Sequence, residues 1–313
     1  MRLNGRNWIY HLAAFLTVVV WGSTFVFTKM LLQAGLSPAQ IFTLRFIIAY
    51  LLMLGYQLFG GNHKSIKFRT RNLKDELMMV ALGVTGGSLY FLTENAAMLY
   101  TTATNTSLIV CSCPLFAMLL IALVYRQSER FTKLQVFGSL LACMGMAVVV
   151  LNGHFVLHLS PLGDLLAFAA CLCWAFYSLL MKSATERYST FLITRKVFFY
   201  GLLTIIPYYV LVPEEALIFT PSVVQFFTLP ILLNLLFLSV VASTVCFLVW
   251  SWIIRKLGVV IATNWVYFNP ITTIVFASWL LHEQITPWFL LGTLLVLTGM
   301  YLCDKKTTEN YEL

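Results

Sequence analysis

Glu94 lies inside an apolar stretch, about 20 residues from its start, where a bare carboxylate is costly and has to be paired, hydrated or protonated. Facing a polar cavity, it would bind a cationic or amino group or carry a proton. As a structural element, it would be one half of an ion pair or a residue of the outer rim. Two cations stand at a depth to pair with it. Lys29 ends the first apolar stretch and Arg45 lies early in the second, both as gating or structural candidates. Arg45 has no easy exit to the headgroups, because the short loop beside it is otherwise uncharged, so bracing through a carbonyl or through Glu94 is expected.

Pro114 and Pro270 fall near the middles of two apolar stretches. A mid-helix proline removes a backbone hydrogen bond and kinks the helix, and the freed carbonyl is tolerated in lipid only where something such as cavity water satisfies it. Two such interruptions at equivalent points point to a binding site; simple packing kinks are the alternative. Trp21 and Trp174 lie about 12–13 residues into their stretches, near mid-membrane by helical rise. There a buried indole N–H wants a partner, which favours a cavity wall, with Tyr177 beside it, over an interfacial belt. Ser23, Thr24, Tyr90, Asn95, Asn105, Thr244, Asn264 and Trp265 complete the candidate substrate-binding set. Most single Ser and Thr residues pack helices or bond their own backbone. Asn105 and Asn264 are stronger candidates, because a lipid-facing amide is costly and their stretches carry the symmetric prolines.

No catalytic, metal or cofactor site is expected. The histidines His11, His63, His154, His158 and His282 sit at stretch ends or in loops, and His282-Glu283 lacks the second His of a zincin motif. The seven cysteines lie in or beside apolar stretches without a zinc-like cluster. No phosphate-binding G-K-[ST] loop is present, so an ATP-driven pump is excluded.

The elements that hold these residues must be membrane helices. Of the 313 residues 60% are hydrophobic and 10% charged, with a mean hydropathy of +0.87; a soluble domain carries roughly 25% charged residues. Ten stretches are long enough to span: 8–32, 38–59, 75–98, 102–124, 133–151, 162–182, 190–212, 229–254, 258–281 and 286–303. No cleavable signal peptide is expected ahead of the first. With the N-terminus inside, the loop cations (Arg2, Arg6, Lys64, Lys67, Arg69, Arg71, Lys74, Arg126, Arg130, Lys133, Lys182, Arg187, Arg255, Lys256, Lys305 and Lys306) all fall on the cytoplasmic face, and Glu214 and Glu215 on the other. That partition sets both termini in the cytoplasm and accounts for the net charge of +8 without nucleic acid. Arg195 and Lys196, at the start of the seventh stretch, are expected to snorkel to headgroups.

The chain also repeats. Aligning Pro114 with Pro270 matches Glu129 and Thr132 to Glu283 and Thr286, Gly138 and Gly145 to Gly292 and Gly299, and Gly83 and Gly87 to Ser239 and Ser243. Trp21 and Lys29 match Trp174 and Lys182, and Arg45 matches Arg195 with one short gap. The expected fold is all-α: ten transmembrane helices in two five-helix copies, 1–152 and 160–304, followed by a cytoplasmic tail, 305–313. Five being odd, the copies are inverted, the architecture of many secondary transporters.

Trp21-Gly22-Ser23-Thr24-Phe25 with Lys29 resembles the opening of the EamA family of the drug/metabolite transporter superfamily. So does the block from Tyr100-Thr101-Thr102-Ala103 through Pro114 to Glu129, Thr132 and Gly138, repeated as Pro270, Glu283, Thr286 and Gly292. The likeness spans nearly the whole chain. It implies a central cavity lined by helices 1, 3, 4, 6, 8 and 9, cytoplasmic termini in a bacterial inner membrane, and transport, often export, of amino acids or related metabolites. Cationic drugs or nucleobases and nucleosides are alternative cargoes, and a channel or receptor-like module is a more distant one. Protons are a candidate coupling ion, and a monomer or weak homodimer is expected. Two departures stand out: Ala175 follows Trp174 where the first copy has Gly, and Glu94 has Trp250 as its mate in the second copy.

Overall fold

The computed structural model describes residues 8–59, 70–125, 132–151, 160–215, 228–281 and 287–305. Apart from a short 3-10 turn they fall into ten helical runs: α1 (Trp8–Gln33), α2 (Pro38–Phe59), α3 (Leu73–Tyr100), α4 (Ala103–Val124), α5 (Lys133–Leu151), α6 (Pro161–Arg187), α7 (Thr190–Leu211), α8 (Leu229–Leu257), α9 (Val259–Leu280) and α10 (Pro287–Lys305). Eight are long and apolar enough to cross a membrane; α5 and α10 carry shorter apolar stretches, Lys133–Val148 and Leu290–Cys303. Backbone groups in lipid must be satisfied within the segment, so apolar runs of this length become helices. Their starts are capped by side chains: Asn72 accepts from the Asp75 N–H, Thr102 from that of Asn105 and Ser189 from that of Leu192. Between α8 and α9 the chain turns at Gly258 with φ +81° and ψ 161°, a conformation essentially restricted to glycine.

The ten expected stretches and the ten helices coincide, and α6 and α8 each run further, to Arg187 and Leu257. Glu129, Glu283 and Thr286 of the repeat, the four histidines other than His11, most of the tail, and Arg2, Arg6, Lys64, Lys67, Arg69, Arg126, Arg130 and Lys306 lie outside the described residues.

The two copies are related by inversion, and α5 and α10 display it directly. A Cβ on Gly138 would stand 2.6 Å from the Gly299 carbonyl oxygen, and one on Gly145 would stand 2.8 Å from that of Gly292. Since Gly138 matches Gly292 and Gly145 matches Gly299, exchanging the copies converts one contact into the other. The contact runs up one helix and down its partner, so equivalent helices are antiparallel. Small residues permit this backbone approach. The same device brings α3 to α7, where a Cβ on Gly83 would meet the Gly201 nitrogen at 2.9 Å.

Five helices are interrupted, four of them in two matched pairs. The helices α3 and α8 open into π-helical turns at Val84–Ser88 and Phe237–Val245. The helix α4 breaks at Cys111–Ser112, just before Pro114, and α9 tightens to a 3-10 turn at Trp265–Phe268, just before Pro270. A fifth break, at Ile205 in α7, precedes Pro207 and has no equivalent in α2.

Candidate functional site

The interruptions surround a cavity of about 30 Å³, room for about two water molecules and too small as it stands for a metabolite. Its walls are built largely from residue pairs that the repeat makes equivalent: Trp21 with Trp174, Phe91 with Phe247, Val110 with Val266, and Cys113 with Asn269. The first pair meets edge to face, with centroids 5.3 Å apart. The valines have a specific meaning. A proline lacks the N–H that would reach the carbonyl four residues back, and for Pro114 and Pro270 those carbonyls belong to Val110 and Val266.

The charges break this symmetry. Glu94, Tyr90, Arg45 and Thr24 also line the cavity, all from the first copy. The Tyr90 hydroxyl donates to Glu94 Oε1 at 2.6 Å. Arg45 is 3% exposed; its Nε donates to the Ser243 hydroxyl in the α8 π-turn, and its guanidinium carbon lies 4.5 Å from the centre of the Phe91 ring. Among the described residues the ion pairs are those of Arg187 with Asp75 and Lys196 with Glu76, so Arg45 and Glu94 share the cavity without touching. In the second copy, Glu94's place is taken by Trp250, which is fully buried and packs 4.9 Å from Trp21.

Of the sequence candidates, Trp21, Thr24, Tyr90, Glu94 and Trp174 therefore come together around the cavity, as does Arg45. Trp21 Nε1 donates to the Ala242 carbonyl at 2.9 Å, which satisfies the indole and ties α1 to the α8 π-turn. Tyr177 is buried behind Trp174, rings 5.0 Å apart. The remaining candidates sit elsewhere. Ser23 bonds its own helix at Val20 and Thr244 bonds back to Ser239. Asn95 donates to the Pro38 carbonyl and so fastens α3 to the start of α2. Asn105 is too close to its helix start to reach the centre; its amide donates to Asp164 at 2.6 Å and joins α4 to the first turn of α6. Asn264 is buried but does not line the cavity, and Trp265 packs on His11 and Phe15 instead. Lys29 does not pair with Glu94: its ammonium donates to the Met98 and Thr101 carbonyls, at the far end of α3.

Arg195 and Lys196 are buried rather than snorkelling. Lys196 and the Tyr200 hydroxyl both donate to Glu76, which also accepts from Thr70. The adjacent Asp75 accepts from Arg187 at 2.9 Å and from the Tyr188 hydroxyl at 2.6 Å. This network joins α3 of the first copy to α6 and α7 of the second, on the Lys/Arg-rich face.

The sequence reading missed Asn269, Cys113, Phe91 and Phe247. Their signal was available, because Asn269 and Cys113 each precede a matched proline and the two phenylalanines fall at matched positions.

Known proteins agree with this architecture. The model of the EamA-like transporter family matches residues 8–151 and again 161–303. An "Uncharacterized transporter" of Archaeoglobus fulgidus is 25% identical, over 95% of this chain and 97% of its own. A "Probable terminal-alkyne amino-acid exporter" of Streptantibioticus cattleyicolor is 26% identical, over 98% and 96%. A "Probable amino-acid metabolite efflux pump" of Escherichia coli is 26% identical, over 92% of each chain.

Proposed function

The chain belongs to the EamA-like transporter family, a membrane transporter and not an enzyme, and from that premise we propose that it exports an amino acid or a closely related metabolite. Alternating access supplies the mechanism. The two inverted copies rock about the cavity and expose it to each face in turn, with the proline breaks and π-turns as the places where helices can bend. The single observation that carries the reading is the pairing of a carboxylate with aromatic walls at the meeting point of four interrupted helices. Glu94 takes the amino group of the cargo, and the aromatic rings of Trp21, Trp174, Phe91 and Phe247 take its apolar part. The printed names of the two amino-acid relatives support the same cargo class.

This reading sets the chain in a bacterial inner membrane with both termini in the cytoplasm, an orientation that the distribution of its cations supports. One copy of the chain completes the cavity, so a monomer or weak homodimer suffices. Protons are the coupling ion to test, since Glu94 can exchange one. The deciding experiment is a counterflow screen in proteoliposomes with amino acids, nucleosides and cationic dyes at two pH values. Exchange of amino acids supports the reading. Exchange of nucleosides or dyes alone replaces it with the corresponding cargo, and a flux far above carrier turnover replaces it with a channel.

A further inference from the structure

Arg45 is an unexpected neighbour for a site built to hold an amino group. A guanidinium is always charged and presents a planar fork of donors matched to a carboxylate. Burying one inside a membrane helix without a carboxylate partner is costly. Among the described residues Arg45 bonds only through Nε, to Ser243, and Phe91 supports one face of the plane. The terminal nitrogens are the donors left over, and Arg45 lines the cavity. Glu94 presents the complementary situation, with Oε1 held by Tyr90 and Oε2 left for the cavity. Phe91 and Glu94 lie three residues apart on α3, on one helix face, so both charges border the same small patch. Each is held at one atom by a hydroxyl, and among the described residues no hydrogen bond or ion-pair contact joins the two.

We propose that Arg45 reads the carboxylate of the cargo while Glu94 holds its ammonium, so that the site selects a zwitterion and rejects the amine or the acid that carries only half of it. This rests on the amino-acid reading above and adds the residue that sets its selectivity. A ligand with both charges satisfies both orphaned groups at once. An amine leaves the guanidinium without its carboxylate in a buried cavity, and an acid leaves Glu94 without its ammonium. A site built around polar partners discriminates strongly against analogues that lack them, by up to about 10⁴-fold. Ser243 acts as a positioning residue, since its hydroxyl holds the guanidinium from the opposite copy and couples that grip to the α8 π-turn.

The test is inhibition and exchange in proteoliposomes of the full chain with two matched sets: L-leucine, isoamylamine and 4-methylvalerate, and L-phenylalanine, phenethylamine and 3-phenylpropionate. The expected result is that at least one amino acid exchanges and that both of its half-analogues are at least 10-fold weaker. Arg45→Gln should lose the amino acid by at least 10-fold and bring the amine level with it or ahead of it, and Arg45→Lys should restore part of the preference. If the wild-type protein carries an amine as well as the amino acid, the inference is overturned while the transport reading survives. If none of the six exchanges and a cationic dye does, both fall. The wild-type series decides the matter even if Arg45→Gln fails to fold.

Discussion

Trp21 and Trp174 occupy equivalent positions and differ by one hydrogen bond. Trp21 Nε1 donates to the Ala242 carbonyl, whereas Trp174 Nε1 is buried without a hydrogen-bond partner. Replacing Trp21 with Phe removes a donor and strands a buried carbonyl, at a cost of about 1–3 kcal/mol. Replacing Trp174 with Phe strands nothing and relieves an unsatisfied N–H. Thermal unfolding in detergent should therefore show Trp21→Phe melting clearly below Trp174→Phe; equal losses would mean that the indole bond contributes nothing. Residues of this kind were legible where one position is enough to judge them. Glu94 in an apolar run and two tryptophans at mid-depth announce a cavity by their type and depth alone. Asn105 and Asn264 were not legible, because an amide's destination depends on which neighbour comes within reach, and for Asn105 that neighbour is Asp164, 59 positions along the chain.

The helices show which breaks and which contacts matter. Restoring an N–H at position 114 or 270 would offer a donor to the carbonyl of Val110 or Val266, two residues that line the cavity, although that of Val266 already accepts from the Asn269 N–H. Pro114→Ala and Pro270→Ala should thus straighten their helices, keep or raise the melting temperature, and slow exchange several-fold. Unchanged exchange with normal folding would reduce the prolines to packing kinks. Glycine offers a second contrast. A Cβ on Gly299 would stand 2.5 Å from the Ala142 nitrogen and from the Gly138 oxygen, both backbone, whereas one on Gly55 meets nothing within 4 Å. Gly299→Ala should then lower the melting temperature, while Gly55→Ala should hold or raise it, since the gain in helix propensity is worth up to about 1 kcal/mol of stability. Hydropathy located all ten helices because lipid imposes their length. The π-turns escaped it, since a single inserted residue per turn leaves the apolar pattern of α3 and α8 unchanged.

At the scale of the molecule, a symmetric scaffold carries an asymmetric load. The aromatic and proline framework is duplicated, the cavity charges come from one copy, and the ties between copies differ at the two ends. On the Lys/Arg-rich face, Asp75 and Glu76 of α3 hold Arg187, Tyr188, Lys196 and Tyr200 of the second copy. At the other end the links are lighter: Asn234 donates to the Phe27 carbonyl, Thr43 bonds Tyr209, and Asn105 meets Asp164. In the proposed alternating-access cycle, opening toward the Lys/Arg-rich face would break the charged ties, which would bias the carrier toward keeping that face shut. Removing one shifts the balance by its differential contribution to the closed state, about 1–3 kcal/mol or 5–150-fold in population. The cavity holds a native reporter, since Cys113 is buried in its wall. In vesicles exposing the Lys/Arg-rich face, Glu76→Gln should speed labelling of Cys113 by a membrane-impermeant thiol reagent, read by peptide mass spectrometry, at least fivefold over wild type. Asn234→Ala, which loosens the opposite end, should leave that rate unchanged or lower it. Equal acceleration by both variants would point to general loosening and remove the gate.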